Sequence, residues 1–555
     1  MDNTTVLHSL FAGNEAHPNK PMFHQPIERQ WRTFSWAEVT DQAKRIAQGL
    51  RAQGFEKGDR IVIMSKNCAE WIIADFAITM AGMVSVPIYA TAGVNIIEHV
   101  INHSGAKAIF VGKLDNLDAA KAAIPSTLLS ISFPYPTVEC HEKWDDWLKA
   151  FDPIDEPHLP TSEDMATISY TSGTTSLPKG VVLSHKNFSS AADNVIKLFE
   201  IRDGDRSISY LPLAHITERS LVAVFVRRKV EVYFTENLQT FVADIQHASP
   251  TGFSSVPRLW SVFQAQVISQ VGAEKLDKML KLPIIGKLVA SKIRKKLGLH
   301  KARTFGSGAA PMSESVLAWY HRLGIPINEG WGMTETTGLA SGNMPFSHQD
   351  LGTIGKPMPN IDMKLSPDSE ILIRGDLVFS EYYNDPEATA ENFVDGWFRT
   401  GDVATITDNG AYKITGRIKE QFKTAKGKYV MPVPIESLLF ANLNVEQACV
   451  LGSGQKQPVA MVVLNQSCKR KSSEVIKSLQ DTLKHVNSQL ESHQKLDFIM
   501  VCSHGWTVEN DLLTATTKVK RSDVERHYSW LFDEDRGEGV LWEEDLHWAN
   551  KISPP

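Results

Sequence analysis

The stretch YTSGTTSLPKG at residues 170–180 crowds five hydroxyl side chains, two glycines and a lysine together. These are the residue types that wrap a phosphate. Thr171, Ser172, Thr174, Thr175 and Ser176 offer hydroxyl donors. Gly173 lets the backbone turn its amides toward an anion, and Lys179 adds a mobile point charge. The order is wrong for a Walker A loop, G-x-x-x-x-G-K-[ST]. Pro178 stands where the second glycine should be, and Gly180 follows the lysine. A P-loop NTPase is therefore excluded. A phosphate-gripping loop and a plain solvated Ser/Thr-rich hairpin both stay open on composition.

The surrounding pattern is that of an α/β protein. WAEVTDQAKRIAQGLRAQG has helical periodicity and ends at Gly54, a C-cap residue. KGDRIVIMS then reads as a short buried strand over 60–65. A helix follows over 71–81, then the strands VSVPIY and AKAIFVG. FDPIDEPHLPTSED is a Pro-rich, acidic connection to the strand ATISYT, which feeds the loop. ILIRG and AYKITGR have the look of antiparallel pieces. After Gly416 the texture becomes basic, then gives two strands, VEQACVLGSG and QPVAMVVLN, and an amphipathic helix, SSEVIKSLQDTLKHVNSQL. The expected organisation is a large domain over 1–416 and a small α+β domain over 417–555, with 555 residues too many for one core.

Bulk properties narrow the function. A net charge of −6 argues against a nucleic-acid partner. The five cysteines are scattered, with no CxxC pair, and read as free thiols of a reducing cytoplasm. The N-terminal residues lack the pattern of a signal peptide. The most apolar run, WIIADFAITMAGMVSVPIY, is broken by Asp75, Gly82 and Pro87, which suits a buried helix and strand better than a membrane span. Nothing sets an oligomeric state.

With its flanks the loop becomes specific. YTSGTTSLPKGVVLSH resembles the signature of the adenylate-forming superfamily, which holds acyl-CoA synthetases, adenylation domains of peptide synthetases and luciferases. Seven further segments resemble that family in its own order: LPLAHITER, SSVPRLW, GSGAAPMSE, NEGWGMTETTG, GWFRTGD, ITGRIKEQFKTAKGKYVMPVPIE and TATTKVKR. They span residues 170–521. LPLAHITER and the form of the last motif are most similar to long-chain fatty-acid–CoA ligases.

The resemblance implies a large multi-subdomain adenylate-forming domain with a small mobile lid, and two half-reactions in one site. A fatty-acid carboxylate, long- or medium-chain, attacks the α-phosphorus of ATP, and CoA then takes the acyl group. ATP, Mg²⁺ and CoA are the implied cofactor and co-substrates. Thr171, Ser172, Gly173, Thr174, Thr175 and Lys179 would cradle the phosphates, with Thr174 and Glu335 on Mg²⁺. Trp331, followed by Gly332, would lie against the adenine, with Gly308 and Ala309 letting backbone approach its other face. Thr334 would bond the α-phosphate. Asp402 would take the ribose hydroxyls and Arg417 would be the second ribose contact. Lys419 matches the hinge, placing a pivot at 417–419. Lys518 matches the lysine that bridges carboxylate and α-phosphate, and Lys520 and Arg521 read as solvated neighbours. His215 either orients the carboxylate or packs. The same resemblance allows a ligase that loads an acyl carrier protein, and a non-catalytic fatty-acid or nucleotide binding protein on this fold.

Some features depart from the pattern. Ser176 and Glu381 stand where glycine is usual. Residues 275–303 carry ten Lys/Arg against one acid, Asp277, interleaved with apolar residues. That surface reads either as a peripheral contact with the inner face of a membrane or as a solvated helix packed on its own domain. The acidic tail holding Trp530, Trp542 and Trp548 either packs back on the body or binds a partner.

Overall fold

The phosphate-type loop joins two neighbouring strands of the largest sheet in the computed structural model. The structure describes residues 5–546 apart from 172–176, 311, 466–467, 509, 515–517 and 533–538. That sheet runs Glu142–Lys143, Leu129–Ser132, Ala108–Val111, Arg60–Met64, Val84–Ile88, Met165–Tyr170, Gly180–Ser184. Its neighbours pair in parallel except the last two strands, which are antiparallel and flank the loop. Arg60–Met64 and Val84–Ile88 are buried almost throughout, as parallel strands covered on both faces require. Helix Ala69–Met80 covers them with a nearly wholly buried surface, so the apolar run serves a core.

Helix Trp36–Ala52 begins with a capping box, Ser35 and Glu38 satisfying each other's backbone amides. It stops at Ala52, with Gln53 as the cap, one residue before the expected Gly54, whose φ is +79°. A second sheet joins Pro21–Ile27 and Gln30–Ser35 to Glu231–Phe234 and Arg206–Ser209. A third, from Gly252–Ser255 through Thr304–Ser307 and Ile327–Met333 to Gly338–Gly342 and Lys356–Pro357, carries the residues expected at the nucleotide. A fourth is antiparallel: Glu370–Gly375 and Tyr412–Arg417 both pair with Trp397–Ile406, as their texture suggested.

After Arg417 a turn leads to a separate four-stranded sheet, Val445–Leu451, Val459–Leu464, Phe498–Val501, Gly539–Trp542. Helix Ser473–Ser488 lays its buried stripe Val475, Leu479, Leu483, Val486 on this sheet. The two hydrophobic clusters here draw on residues from 422 onward only. Part of the tail packs back on the body: Gly539–Trp542 pairs in parallel with Phe498–Val501 and buries Trp542, while Trp548 lies outside the described residues. Among the described residues no helix is long and apolar enough to cross a membrane. All five cysteines are free.

Candidate active site

The loop's ends are pinned before its phosphate-type residues begin. The Thr171 amide donates to the Lys179 carbonyl at 3.0 Å, and His99 Nε2 meets the Pro178 carbonyl at 2.9 Å. His103 on the same helix reaches the Tyr170 hydroxyl at 2.8 Å. Ser172, Gly173, Thr174, Thr175 and Ser176 lie outside the described residues. Lys179 sits 5.0 Å over the Tyr382 ring and 3.8 Å from Asp385.

Strand Ile327–Met333 delivers the next group through a bulge at Trp331 and Gly332. A Cβ on Gly332 would stand 1.6 Å from the Gly338 carbonyl oxygen, so only glycine allows the chain to double back there. The doubling back presents Thr334, half-buried, and Glu335, buried, on a single 3₁₀ turn, Thr334–Thr336. Glu335 Oε1 accepts the Tyr382 hydroxyl at 2.9 Å. Burial raises its pKa, against the pull of that hydrogen bond and of Arg417 and Lys518.

Gly308 lies against the same strand: a Cβ there would come within 3.1 Å of the Gly330 carbonyl. Ala309 follows with φ of +68°. Trp331 belongs to the hydrophobic cluster that also holds Ile216 and Ala340. Its ring N–H donates to Asp402 Oδ2 at 2.8 Å. Asp402 and Arg417 face each other across paired strands, with Arg417 Nε 2.7 Å from Asp402 Oδ1. One buried carboxylate thus holds the tryptophan with one oxygen and the arginine with the other. Lys419 lies exposed in the turn just past the strand.

The last body reaches back to this site. The Thr514 amide donates to the Lys518 carbonyl, and the Lys518 amide to Thr514 Oγ1, which fixes the lysine's loop. Lys518 keeps contact with solvent, yet the cleft's walls crowd it. That crowding and then Arg417 lower its pKa, while Asp402, Glu335 and Glu420 pull it up. Helix Pro257–Val271 makes a second link: its Arg258, in SSVPRLW, ion-pairs with Glu446. Arg521 is not a solvated bystander. Its guanidinium grips Glu436 at 2.5 and 3.1 Å and meets Glu420 at 3.4 Å. Lys520 pairs with Asp511.

His215 caps helix Ile216–Arg227, its Nδ1 accepting the Thr217 amide at 3.2 Å. The ring proton is then on Nε2. Burial, followed by the charge of Lys518, pushes the His215 pKa down to about 4. At neutral pH it is a neutral N–H donor near the lysine.

Sequence reasoning passed over Tyr382, His99, His103 and Glu218. Glu218, three residues past His215, is buried, and its Oε1 has no hydrogen-bond partner among the described residues. Burial pushes its pKa up to about 8. Unfolded, the carboxyl ionises near the ordinary glutamate value; folded, it keeps its proton to about 8. Stability therefore falls as pH rises between those values and levels above the higher one. Glu218→Gln should melt several degrees above the parent at mildly alkaline pH, the gap closing in acid, as followed by thermal unfolding across pH. Equal melting curves at every pH would show that Glu218 ionises normally.

One buried carboxylate, Asp402, thus holds Trp331 and Arg417, and Lys518 comes to them from a separate body. Comparison with known proteins gives the family. The profile of AMP-binding enzymes matches residues 10–383, and that of the AMP-binding enzyme C-terminal domain matches 419–534. The chain belongs to the AMP-binding enzyme family. It is 29% identical to the long-chain-fatty-acid–CoA ligase FadD15 of Mycobacterium bovis, over 95% of this chain and 96% of the relative. It is 31% identical to the peroxisomal long chain acyl-CoA synthetase 7 of Arabidopsis thaliana, over 90% and 81%. The fold matches the o-succinylbenzoate coenzyme A synthetase MenE of Bacillus subtilis, solved with ATP and magnesium ion. There the TM-score is 0.72 at 22% identity, over 93% of this chain and 99% of that one. The protein is thus an ATP-using, adenylate-forming enzyme that activates a carboxylic acid, of the AMP-forming acid–thiol ligase kind.

Proposed function

We propose that the protein is a long-chain fatty-acid–CoA ligase, taking long- or medium-chain acids. The observation that carries the adenylation step is Lys518 standing, from the C-terminal body, within the fields of Glu335, Asp402 and Arg417; the long-chain acid and CoA rest on the relatives named for them. In the first half-reaction a carboxylate oxygen bonds to the α-phosphorus of ATP and the bond to the β-phosphate bridge breaks, releasing pyrophosphate. Two anions must meet, and Lys518 is the cation between them. His215 would steer the carboxylate as a neutral donor, and Thr334 would hold the α-phosphate. Trp331, Gly308 and Ala309 would flank the base, and Asp402 and Arg417 the ribose. Lys179 and the hydroxyls of 171–176 would take the leaving pyrophosphate. In the second half-reaction the CoA sulfur bonds to the acyl carbon, the acyl–phosphate C–O bond breaks, and the thiol proton passes to solvent.

Mg²⁺ fits the residues present. No cluster of three or more His, Cys, Asp or Glu able to hold a metal occurs among the described residues. Glu335 is a lone buried carboxylate whose burial costs it charge stabilisation that a cation would restore. A single carboxylate plus phosphate oxygens is the donor set Mg²⁺ accepts. Glu335 would hold it, with Thr174, and the ion would neutralise triphosphate charge. Lys419 in the exposed turn, between the ribose arginine and the separate core of the last body, supports a pivot at 417–419 between a 1–416 domain and a 417–555 lid.

The test is pyrophosphate release across carboxylates from acetate to stearate, with and without CoA. Release that rises with chain length, with acyl-CoA formed and CoA consumed, is the expected result. Acyl-AMP that accumulates with CoA and moves only to a carrier protein would replace the thiol acceptor. Absence of release with every acid would overturn the reading.

A further inference from the structure

The basic segment 275–303 is not one helix. Leu282 precedes Pro283, which opens the second of two helices, Ala273–Leu280 and Pro283–Lys296. A Cβ on Gly286 would come 2.8 Å from the Leu280 carbonyl oxygen, so the two helices meet closely at their junction. One face of the second helix is committed inward: Gly286, Ala290 and Ile293 are buried, and Leu276 anchors the first helix in the same cluster.

The other face is left uncovered by the described residues. At the junction Leu282, Ile284, Ile285 and Leu288 are 49%, 76%, 45% and 66% exposed. They form one patch, spaced as a helix turn and its neighbour. Lysines follow it: Lys287, Lys292 and Lys295 are exposed and make no ion pair with a carboxylate among the described residues. The one acid, Asp277, is already held by Lys281 and Arg322 at 2.7 and 2.5 Å. Residues 275–303 carry ten positive charges and one negative, +9, so the rest of this −6 chain carries −15.

We propose that this helix pair docks the protein on the surface of a membrane rich in anionic lipid. The four apolar side chains enter the boundary between headgroups and acyl chains, and the lysines meet lipid phosphates. An apolar tip with a cationic collar matches that partner in both properties. A second copy of the same patch does not, because the two collars would repel. With no helix able to span a bilayer among the described residues, the contact is peripheral. The inference does not depend on which acid the enzyme activates.

The experiment is co-sedimentation of the full chain with vesicles of phosphatidylcholine alone or mixed with phosphatidylglycerol, at low and high salt. The parent should bind the mixed vesicles about tenfold better than the neutral ones at low salt, and lose the difference at high salt. Ile284→Ser/Leu288→Ser should weaken binding to mixed vesicles about tenfold, and Lys287→Glu/Lys292→Glu should abolish the preference for anionic lipid. Both variants should keep the parent's melting temperature and its activity on a soluble short-chain acid. Equal vesicle binding by parent and variants would overturn the proposal. So would a parent that ignores anionic vesicles, or one that dimerises through the patch in sedimentation velocity runs while the serine variant stays monomeric.

Discussion

Lys518→Ala should lower acid-dependent pyrophosphate release by ~10²–10³-fold, the usual cost of removing one preorganised charge from a transition state. It should leave acyl-CoA formation from supplied acyl-AMP within about threefold. The split follows from where the lysine comes from. Its loop is pinned by Thr514 within the last body, and it meets Glu335, Asp402 and Arg417 only because that body leans over the cleft. On the proposed pivot at 417–419 it would serve one orientation of the lid: the step that joins two anions would need it, and the thiol step, in which AMP departs, would not. Lys518→Arg should rescue little, since a planar guanidinium cannot occupy a point-charge site. Rapid-quench measurement of each half-reaction separates the outcomes. Pyrophosphate release at the parent rate would remove Lys518 from the first step.

Asp402→Ala should raise the KM for ATP by ~10–100-fold and destabilise the fold by about 3 kcal/mol. Both effects come from one carboxylate with two obligations. Oδ2 fixes the Trp331 ring N–H and Oδ1 fixes Arg417. Without it, Trp331, proposed to flank the base, loses its tether, and Arg417 faces Lys518 with its counter-ion gone. Asp402→Asn keeps an acceptor for the indole but not the charge. It should recover part of the stability and little of the ATP affinity. Steady-state kinetics with ATP varied, beside thermal unfolding, reads both quantities. An unchanged KM in the alanine variant would mean that neither tether shapes the nucleotide pocket.

Local pattern made much of the architecture readable. Buried strands announced themselves as apolar runs between helical periods, and the alternating texture of ILIRG and AYKITGR marked antiparallel pairing. The motif residues Glu335, Asp402, Arg417 and Lys518 were legible because resemblance orders them along the chain. Long-range pairings were not. Tyr382 reaches Glu335 across 47 positions and Trp331 reaches Asp402 across 71, and neither link leaves a local trace. Glu218 stood in plain view in LPLAHITER, but how deeply a carboxyl is buried depends on what packs round it. The charge of Arg521 suggested solvent for the same reason: Glu436 lies 85 residues away. Periodicity also merged the basic helices, because a proline at a helix start interrupts the backbone without interrupting the spacing of apolar residues.

The strand Gly539–Trp542 has a consequence for how the enzyme comes into being. It lies at the edge of the last sheet, so that sheet cannot be completed until nearly every residue before it has been synthesised. Until then Phe498–Val501 offers a bare, apolar edge to any neighbouring chain. The large sheets, finished by Arg417, can fold first and wait. A polypeptide cut short before this strand would keep the nucleotide-facing walls yet carry Lys518 on an unfinished body. Truncated translation products should therefore aggregate, and should compete for nucleotide without turning it over.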